Sequence, residues 1–181
     1  LINFERADTY SNNFYVSEYE LGAYMTDIVN VFRSYASVKH IDLTYESNFR
    51  YMNVWLDKDK MDSILKNLIS NALKYTPEGG SVHIFAAETE DNWSVEVKDT
   101  GIGIPASEQK KLFRMHFRGS NAINSKVTGS GIGLLLVWKL VRLHKGKINF
   151  SSTEGKGSCI KVIFPKKEKY YRKAVHSPKP G

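Results

Sequence analysis

A single carboxylate followed directly by two glycines is the feature of this chain that most clearly suggests binding chemistry. The stretch VKDTGIGIP places Asp99 at the end of an alternating apolar run, with Gly101 and Gly103 after it. A carboxylate only accepts hydrogen bonds, so it can recognise an exocyclic amino group such as adenine N6. The glycines let the backbone approach a flat ring or a phosphate closely. The alternative is an ordinary Asp-Thr-Gly turn between two elements.

Two asparagines on one predicted helix form the second feature. Asn67 and Asn71 are four residues apart, so both side chains project from the same face of that helix. Asparagine is a poor residue for a helix interior, and its side-chain oxygen is a suitable ligand for Mg²⁺. Lys74 and Tyr75, one turn later, add a cation that can pair with phosphate and an aromatic plane. The alternative is that both asparagines lie at the surface or bond to their own helix.

A second glycine motif, GSGIGL, opens a predicted buried helix over residues 132–144. It contains Gly129, Gly131 and Gly133. Free amides at a helix N-terminus, together with the helix dipole, favour an anion. The G-x-G-x-G spacing and the polar residues before it do not fit a dinucleotide-binding strand–turn–helix unit. No Gly-Lys-Ser/Thr follows, so the motif is not a Walker A loop either.

An aromatic and basic segment, KKLFRMHFRG, lies between the two glycine motifs. Phe113 and Phe117 are four residues apart, with Arg114 and Arg118 beside them. This spacing is typical of a short amphipathic helix that packs on the domain. The alternative is a mobile lid whose arginine or lysine reaches the phosphates of a nucleotide.

The elements that position these motifs follow from hydrophobic periodicity. Strands are predicted over residues 14–16, 41–47 and 51–57, the last two around a turn near Asn48, and over 81–87, 93–98, 147–152 and 158–164. The first helix has the apolar stripe Leu21, Tyr24, Met25, Ile28, Val31, Phe32, Tyr35 and Ala36, and the second has Met61, Ile64, Leu65, Leu68, Ile69, Ala72 and Leu73. Since hairpins dominate over crossovers, we expect an α+β two-layer sandwich in which three helices cover one face of a mixed, mostly antiparallel sheet.

Composition excludes several other classes of protein. The chain has 181 residues and a net charge of +7, which first suggests nucleic acid. Six basic residues and one acidic residue lie after Pro165, a local charge of +5 that leaves only +2 for the rest. A charged tail is usually a solvated segment, so we expect no nucleic-acid partner. Cys159 is the only cysteine, which excludes a disulfide framework and a cysteine metal cluster.

The order of the four motifs resembles the N, G1, F and G2 boxes of sensor histidine kinases, in the superfamily shared with gyrase, Hsp90 and MutL. The matching stretches are LKNLISNALKYTPEGG, DTGIGIP and GSGIGLLLVWKL. The resemblance implies the Bergerat ATP-binding fold over residues 13–165. Residues 1–12 would be the end of an upstream dimerisation-stalk helix or linker, and residues 166–181 a basic C-terminal tail or linker.

The resemblance also implies roles for single residues. Asn67, Asn71 and Lys74 would be catalytic, with Asn71 as the Mg²⁺ ligand and Lys74 paired with phosphate. Asp99 would accept a hydrogen bond from adenine N6, and residues 107–128 would be the lid. The implied ATP contacts are Asn67, Asn71, Lys74, Tyr75, Asp99, Gly101, Gly103, Ile104, Phe113, Arg118, Gly129, Ser130, Gly131, Ile132, Gly133 and Leu134.

The implied function is transfer of the ATP γ-phosphoryl group to a histidine on a dimerisation domain outside this chain. No histidine of the chain lies in the family's acceptor motif. ATP-hydrolysing members tend to carry a glutamate where this chain has Asn67, and an asparagine is no general base. Two alternatives stay open, a nucleotide-binding regulatory domain without transfer activity and an ATPase module of the same superfamily.

The wider setting is also an expectation from the resemblance. The partners would be the upstream histidine-containing domain, a response-regulator receiver domain and, in the full-length protein, a second copy. The domain would be cytoplasmic without direct membrane contact, in a parent anchored in the bacterial inner membrane. The segment RMHFRG resembles the lid of large hybrid sensor kinases.

Overall fold

In the part of the chain that the structure describes, the fold consists of a five-stranded sheet, a two-stranded sheet and three α-helices. A computed structural model describes residues 14–113, 133–167 and 171. The helices are α1 (Leu21–Val38), α2 (Lys58–Tyr75) and α3 (Gly133–Leu143), and a 3₁₀ turn spans Gln109–Lys111. The strands are β1 (Ser17–Glu20), β2 (Asp42–Ser47), β3 (Asn53–Leu56), β4 (Ser81–Glu88), β5 (Asn92–Asp99), β6 (Lys147–Thr153) and β7 (Gly157–Pro165).

The larger sheet has the strand order β2-β4-β5-β7-β6. The β2–β4 pair is parallel, whereas β4–β5, β5–β7 and β7–β6 are antiparallel. Alternate residues of β4, namely Val82, Ile84 and Ala86, are fully buried, as expected for a sheet with one face against helices. The predicted two-layer α+β class is therefore confirmed, and the strands predicted over residues 81–87 and 93–98 form an antiparallel pair.

The predicted turn near Asn48 does not join two paired strands. Strand β2 pairs in parallel with β4, and β3 pairs with β1 in the separate two-stranded sheet. A parallel pair needs a long crossover, and the segment containing β3 and α2 supplies it. The strand predicted over residues 14–16 is also displaced, because β1 begins at Ser17.

Helix α1 follows its predicted stripe except at two positions. Val31 and Tyr35 are 61% and 51% exposed, whereas Val29 is completely buried. Met25, Phe32 and Ala36 face the core. Because consecutive residues are about 100° apart around a helix, Val31 is turned away from Phe32 and lies at the edge of the buried face. Two predicted core positions were therefore wrong.

Helices α2 and α3 pack against each other under the large sheet. Every residue predicted for the apolar face of α2 is buried. In α3, Val137, Leu140 and Val141 are buried, but Trp138 is 42% exposed, so this helix is less enclosed than its composition predicted. None of the described helices is both long and apolar enough to cross a membrane.

The N-terminal end of α2 lies in a cluster of buried polar side chains. The Asp57 carboxylate accepts hydrogen bonds from the backbone N–H groups of Tyr15 and Lys60, and its Oδ2 lies 3.1 Å from Lys60 Nζ. His144 accepts a hydrogen bond from Asp57 N at Nε2 and lies 2.9 Å through Nδ1 from the carbonyl oxygen of Leu140. Burial lowers the pKa of His144 to about 4, so its ring is neutral.

Tyr171 packs on the same end of the domain. Its side chain is 2% exposed, and its hydroxyl donates to the carbonyl oxygens of His144 and Pro165 at 3.2 and 3.3 Å. This residue belongs to the segment predicted as a tail or linker. The domain boundary at residue 165 stays a prediction, although Tyr171 lies beyond it and is buried against the domain.

Candidate functional site

Asp99 ends β5 with one of its carboxylate oxygens already held. Its Oδ1 accepts hydrogen bonds from Gly101 N at 2.8 Å and from Ser158 N at 3.2 Å. Burial raises the pKa of Asp99, and these two N–H groups act in the opposite direction by stabilising the anion. Because both bonds end on Oδ1, they fix the orientation of the carboxylate and leave Oδ2 for an external donor.

The two glycines after Asp99 are required by the protein's own backbone. A Cβ on Gly101 would stand 2.5 Å from the carbonyl oxygen of Tyr75. Gly103 has a φ of +64°, and a Cβ there would collide with the carbonyl oxygen of Thr153. These contacts explain why glycine is needed at both positions. The predicted reason, close approach to a ligand, stays a prediction.

Hydrogen bonds hold the loop after Asp99 on two sides. Ile102 N donates to the carbonyl oxygen of Tyr75 at 3.1 Å, which joins the loop to the C-terminal end of α2. On the other side Ile104 N donates to Ser152 Oγ at 2.8 Å. Gln109 Nε2 donates to the carbonyl oxygens of Ile104 and Ser152 at 3.0 and 2.9 Å. Sequence reasoning missed Gln109 and Ser152, because nothing local marks a side chain that bonds to a strand more than forty residues away.

Asn67 and Asn71 face the start of α3. Asn67 Nδ2 donates to the carbonyl oxygen of Ser63 at 2.7 Å, so its amide nitrogen is bonded to its own helix. Its Oδ1 points to Gly133, where an added Cβ would stand 2.7 Å from that oxygen and 3.7 Å from Asn71 Nδ2. A larger first residue in α3 would therefore displace the Asn67 side chain. The structure brings both asparagines and Gly133 together, and their contact with ATP stays a prediction.

Lys74 and Tyr75 lie in the last turn of α2, both half-buried. Lys74 Nζ is 5.7 Å from the centroid of the Tyr75 ring. Leu134 is half-buried and packs against the core from the first turn of α3. Phe113 is half-buried just after the 3₁₀ turn. Lys74 and Tyr75 thus lie at the C-terminal end of the helix that carries the asparagines, and Leu134 lies next to Gly133.

Five predicted ATP contacts lie outside the described residues: Arg118, Gly129, Ser130, Gly131 and Ile132. The same holds for most of the predicted lid, of which only residues 107–113 are described.

The donor set fits a magnesium nucleotide better than a metal held by the protein alone. Within residues 14–113 and 133–167, no group of three or more His, Cys, Asp or Glu side chains could hold a metal ion. The oxygen of Asn67 faces the bare Cα of Gly133, beside Asn71. Mg²⁺ usually takes few protein ligands and completes its shell with water and phosphate oxygens, so an amide oxygen suits the metal. The N-terminus of α3 suits the phosphates, because the positive end of a helix dipole favours anions.

The fold and the order of the motifs match a known family of nucleotide-binding domains. Residues 56–168 match the family described as histidine kinase-, DNA gyrase B- and HSP90-like ATPase, and the chain belongs to this family. The family and the fold class predicted from the sequence are thereby confirmed.

Proteins with a similar sequence include sensor histidine kinases. The sensor histidine kinase WalK of Bacillus subtilis is 40% identical over 132 residues, which are 72% of this chain and 22% of that protein. The circadian input-output histidine kinase CikA of Thermosynechococcus vestitus is 44% identical over 111 residues, 61% of this chain and 15% of that protein. The matched part of this chain therefore covers less than a quarter of the length of these two relatives.

Solved structures agree with the sequence relatives. The catalytic domain of histidine kinase ThkA superposes with a TM-score of 0.71 at 25% identity, covering 83% of this chain and 97% of that domain. The chain thus corresponds to the ATP-binding catalytic part of such kinases.

Proposed function

We propose that this domain binds ATP with Mg²⁺ and transfers the γ-phosphoryl group to a histidine on a dimerisation domain outside this chain. One observation carries the proposal. Asp99, a half-buried carboxylate with only Oδ1 bonded, ends β5 at one side of α2, and two asparagines of α2 face the N-terminus of α3. The first group suits an adenine amino group and the second suits a metal-bound triphosphate.

Asp99 recognises the base in this proposal. Its Oδ1 is occupied by Gly101 N and Ser158 N, so Oδ2 accepts from adenine N6 without losing the bonds that orient it. Burial raises the pKa of the half-buried Asp99, so part of its water shell is already lost, and a hydrogen bond to a ligand is worth more there than at a fully exposed position. Tyr75 lies against the ring plane from the end of α2.

Asn71 ligates Mg²⁺, Asn67 contacts metal or phosphate, and Lys74 pairs with phosphate. Mg²⁺ neutralises phosphate charge and orients the reacting groups. The first turn of α3 adds backbone N–H groups and the positive end of a helix dipole. Lys74 lies in the last turn of α2. Its side chain is long and flexible, so its ammonium group can reach the phosphates in more than one position.

The chemistry at residue 67 favours transfer over hydrolysis. Asn67 cannot take a proton from water, and its amide nitrogen is committed to Ser63 O. Phosphoryl transfer depends mainly on positioning and charge neutralisation, so it does not need a base at this position. His144 does not serve as the acceptor, because it is fully buried with both ring nitrogens in hydrogen bonds.

The proposed partners follow from this reaction. They are the histidine-containing domain upstream in the parent chain, a response-regulator receiver domain and a second copy of the parent. We propose a cytoplasmic site of action in a membrane-anchored bacterial parent, and no nucleic-acid partner. The charge of +5 after Pro165 is proposed to belong to a solvated linker.

A transfer assay tests the proposal. Radiolabelled ATP is incubated with this domain and the separately expressed dimerisation domain of its parent, with and without Mg²⁺. We expect label on the acceptor histidine, dependent on Mg²⁺, and loss of about a hundredfold or more in rate for Asn71→Ala. Asn92→Ala, at the distant start of β5, is the matched control.

The other two candidate functions give different results in the same assay. ATP binding without any transfer would favour the regulatory domain. Steady phosphate release from the isolated domain, abolished by Asn71→Ala, would favour the ATPase module. Either result would contradict the proposed function.

A further inference from the structure

Lys39 bonds to the end of the helix that carries the candidate site. It follows α1 directly, and its Nζ donates to the carbonyl oxygens of Leu73 and Lys74 at 2.7 and 2.9 Å. These carbonyls belong to the last turn of α2, 34 and 35 residues away in the sequence. The side chain is half-buried, and burial lowers its pKa, so the ammonium has exchanged part of its water for the two carbonyls.

The last four carbonyls of an α-helix have no partner within the helix. In α2 each of them has a partner from elsewhere. Ala72 O accepts from the backbone N–H and hydroxyl of Thr76, at 3.1 and 2.7 Å. Tyr75 O accepts from Ile102 N. Lys39 supplies the remaining two bonds, and its positive charge also lies at the negative end of the helix dipole.

The same turn holds the candidate nucleotide contacts in place. It carries Lys74 and Tyr75, and the carbonyl of Tyr75 holds Ile102 in the loop that follows Asp99. If the last turn of α2 frays, Lys74 and Tyr75 move, and the loop loses its bond on that side. Such movements should lower ATP affinity and the rate of transfer, because both depend on the positions of these groups.

We propose that Lys39 is a positioning residue for the nucleotide site, which acts by capping the C-terminal turn of α2 and so fixing Lys74, Tyr75 and the Asp99 loop. The inference rests on the proposed function for its effect on ATP. Its effect on the loop itself can be measured without any ligand.

The experiment compares three variants in the 181-residue protein. Lys39→Met removes the charge and the donors but keeps the length of the side chain. Lys39→Arg keeps a cationic donor that can reach both carbonyls. Lys66→Met makes the same change at an exposed lysine on α2, away from its last turn.

Two readouts are used, calorimetric affinity for a non-hydrolysable ATP analogue and amide hydrogen exchange at Ile102. For Lys39→Met we expect affinity to fall about three- to tenfold and exchange at Ile102 to quicken about tenfold, while Val95 in the central sheet is unchanged. Lys39→Arg should recover most of both, and Lys66→Met should match the wild type.

Unchanged affinity and unchanged exchange at Ile102 in Lys39→Met would overturn the proposal. Equal losses in Lys39→Met and Lys39→Arg, with faster exchange throughout the sheet, would show a general loss of stability and would also overturn it. If the wild type does not bind the analogue, the proposed function fails, and exchange at Ile102 alone decides whether Lys39 positions the loop.

Discussion

The two ends of α2 use polar residues for different purposes. At the N-terminal end, Asp57, Lys60 and His144 are at most 5% exposed and bonded to one another or to backbone. At the C-terminal end, Lys74 and Tyr75 are half-buried, and Lys39 and Ile102 satisfy the backbone around them. The N-terminal end, with Asp57, Lys60 and His144, is the closed end of α2 and serves stability. The C-terminal end, with Lys74, Tyr75 and the adjoining Asp99 loop, is the open end, and it keeps its side chains available for a ligand.

The largest expected effect is at the closed end. Asp57→Ala removes the helix cap and leaves Lys60 as a buried charge without its carboxylate. We expect a loss of about 3–5 kcal/mol in the free energy of unfolding, measured by urea denaturation. Asp59→Ala, an exposed change in the same turn, should cost less than about 1 kcal/mol. Similar costs for both variants would mean that the closed end is not a stabilising cluster.

The pH dependence of stability sharpens the same contrast. The pKa of His144 is lowered to about 4 in the folded protein from an ordinary value of 6.5. The unfolded chain therefore binds a proton first as the pH falls. Stability from this group is complete above pH 6.5 and is lost progressively toward pH 4, by up to about 3 kcal/mol. Urea denaturation between pH 8 and pH 4, about the range over which His144 matters, measures the slope.

His144→Gln is the control for that slope, because glutamine does not titrate in this range. The pH profile of the variant should lack the part of the loss that belongs to His144. Parallel profiles for wild type and variant would show that the closed end does not depend on a neutral imidazole.

At the open end, Asp99→Asn should impair binding much more than stability. The asparagine oxygen can still accept from Gly101 N and Ser158 N, but its other atom is a donor that repels the adenine amino group. We expect ATP affinity to fall by about 2–3 kcal/mol, measured by calorimetry, with unfolding changed by less than about 1 kcal/mol. A variant that unfolds easily yet binds normally would reverse the assignment of the two ends.

The smallest expected effect is on stability, at a position outside both ends of α2. Lys145 has a φ of +57°, in the left-handed region that glycine adopts without strain. We expect Lys145→Gly to stabilise the protein by about 0.5–1 kcal/mol in urea denaturation. Lys147→Gly, at the start of β6, should destabilise by a similar amount. The same sign for both changes would exclude backbone strain as the cause.

The sequence predicted the parts of the molecule that depend on local patterns. The apolar face of α2, the strands β4 to β7 and the position of Asn67 and Asn71 on one face of α2 all follow from spacing along short stretches. The motifs around Asp99 likewise lie at the end of one strand.

Long-range contacts were not predictable in the same way. The parallel pairing of β2 with β4 depends on a crossover, not on a turn. Lys39, Gln109 and Ser152 support the site through bonds to residues far away in the sequence, and no local signal distinguishes them from surface polar residues. The exposed positions of Val31 and Tyr35 depend on how far the core extends along α1.

The most direct test of the central claim compares ATP with purine riboside triphosphate, which lacks the exocyclic amino group. Calorimetry with wild type should show that ATP binds about tenfold more tightly or better, because only ATP gives Asp99 a donor. The preference should disappear in Asp99→Asn. Equal affinity of the wild type for the two nucleotides would contradict the claim that Asp99 reads the base at the open end of α2.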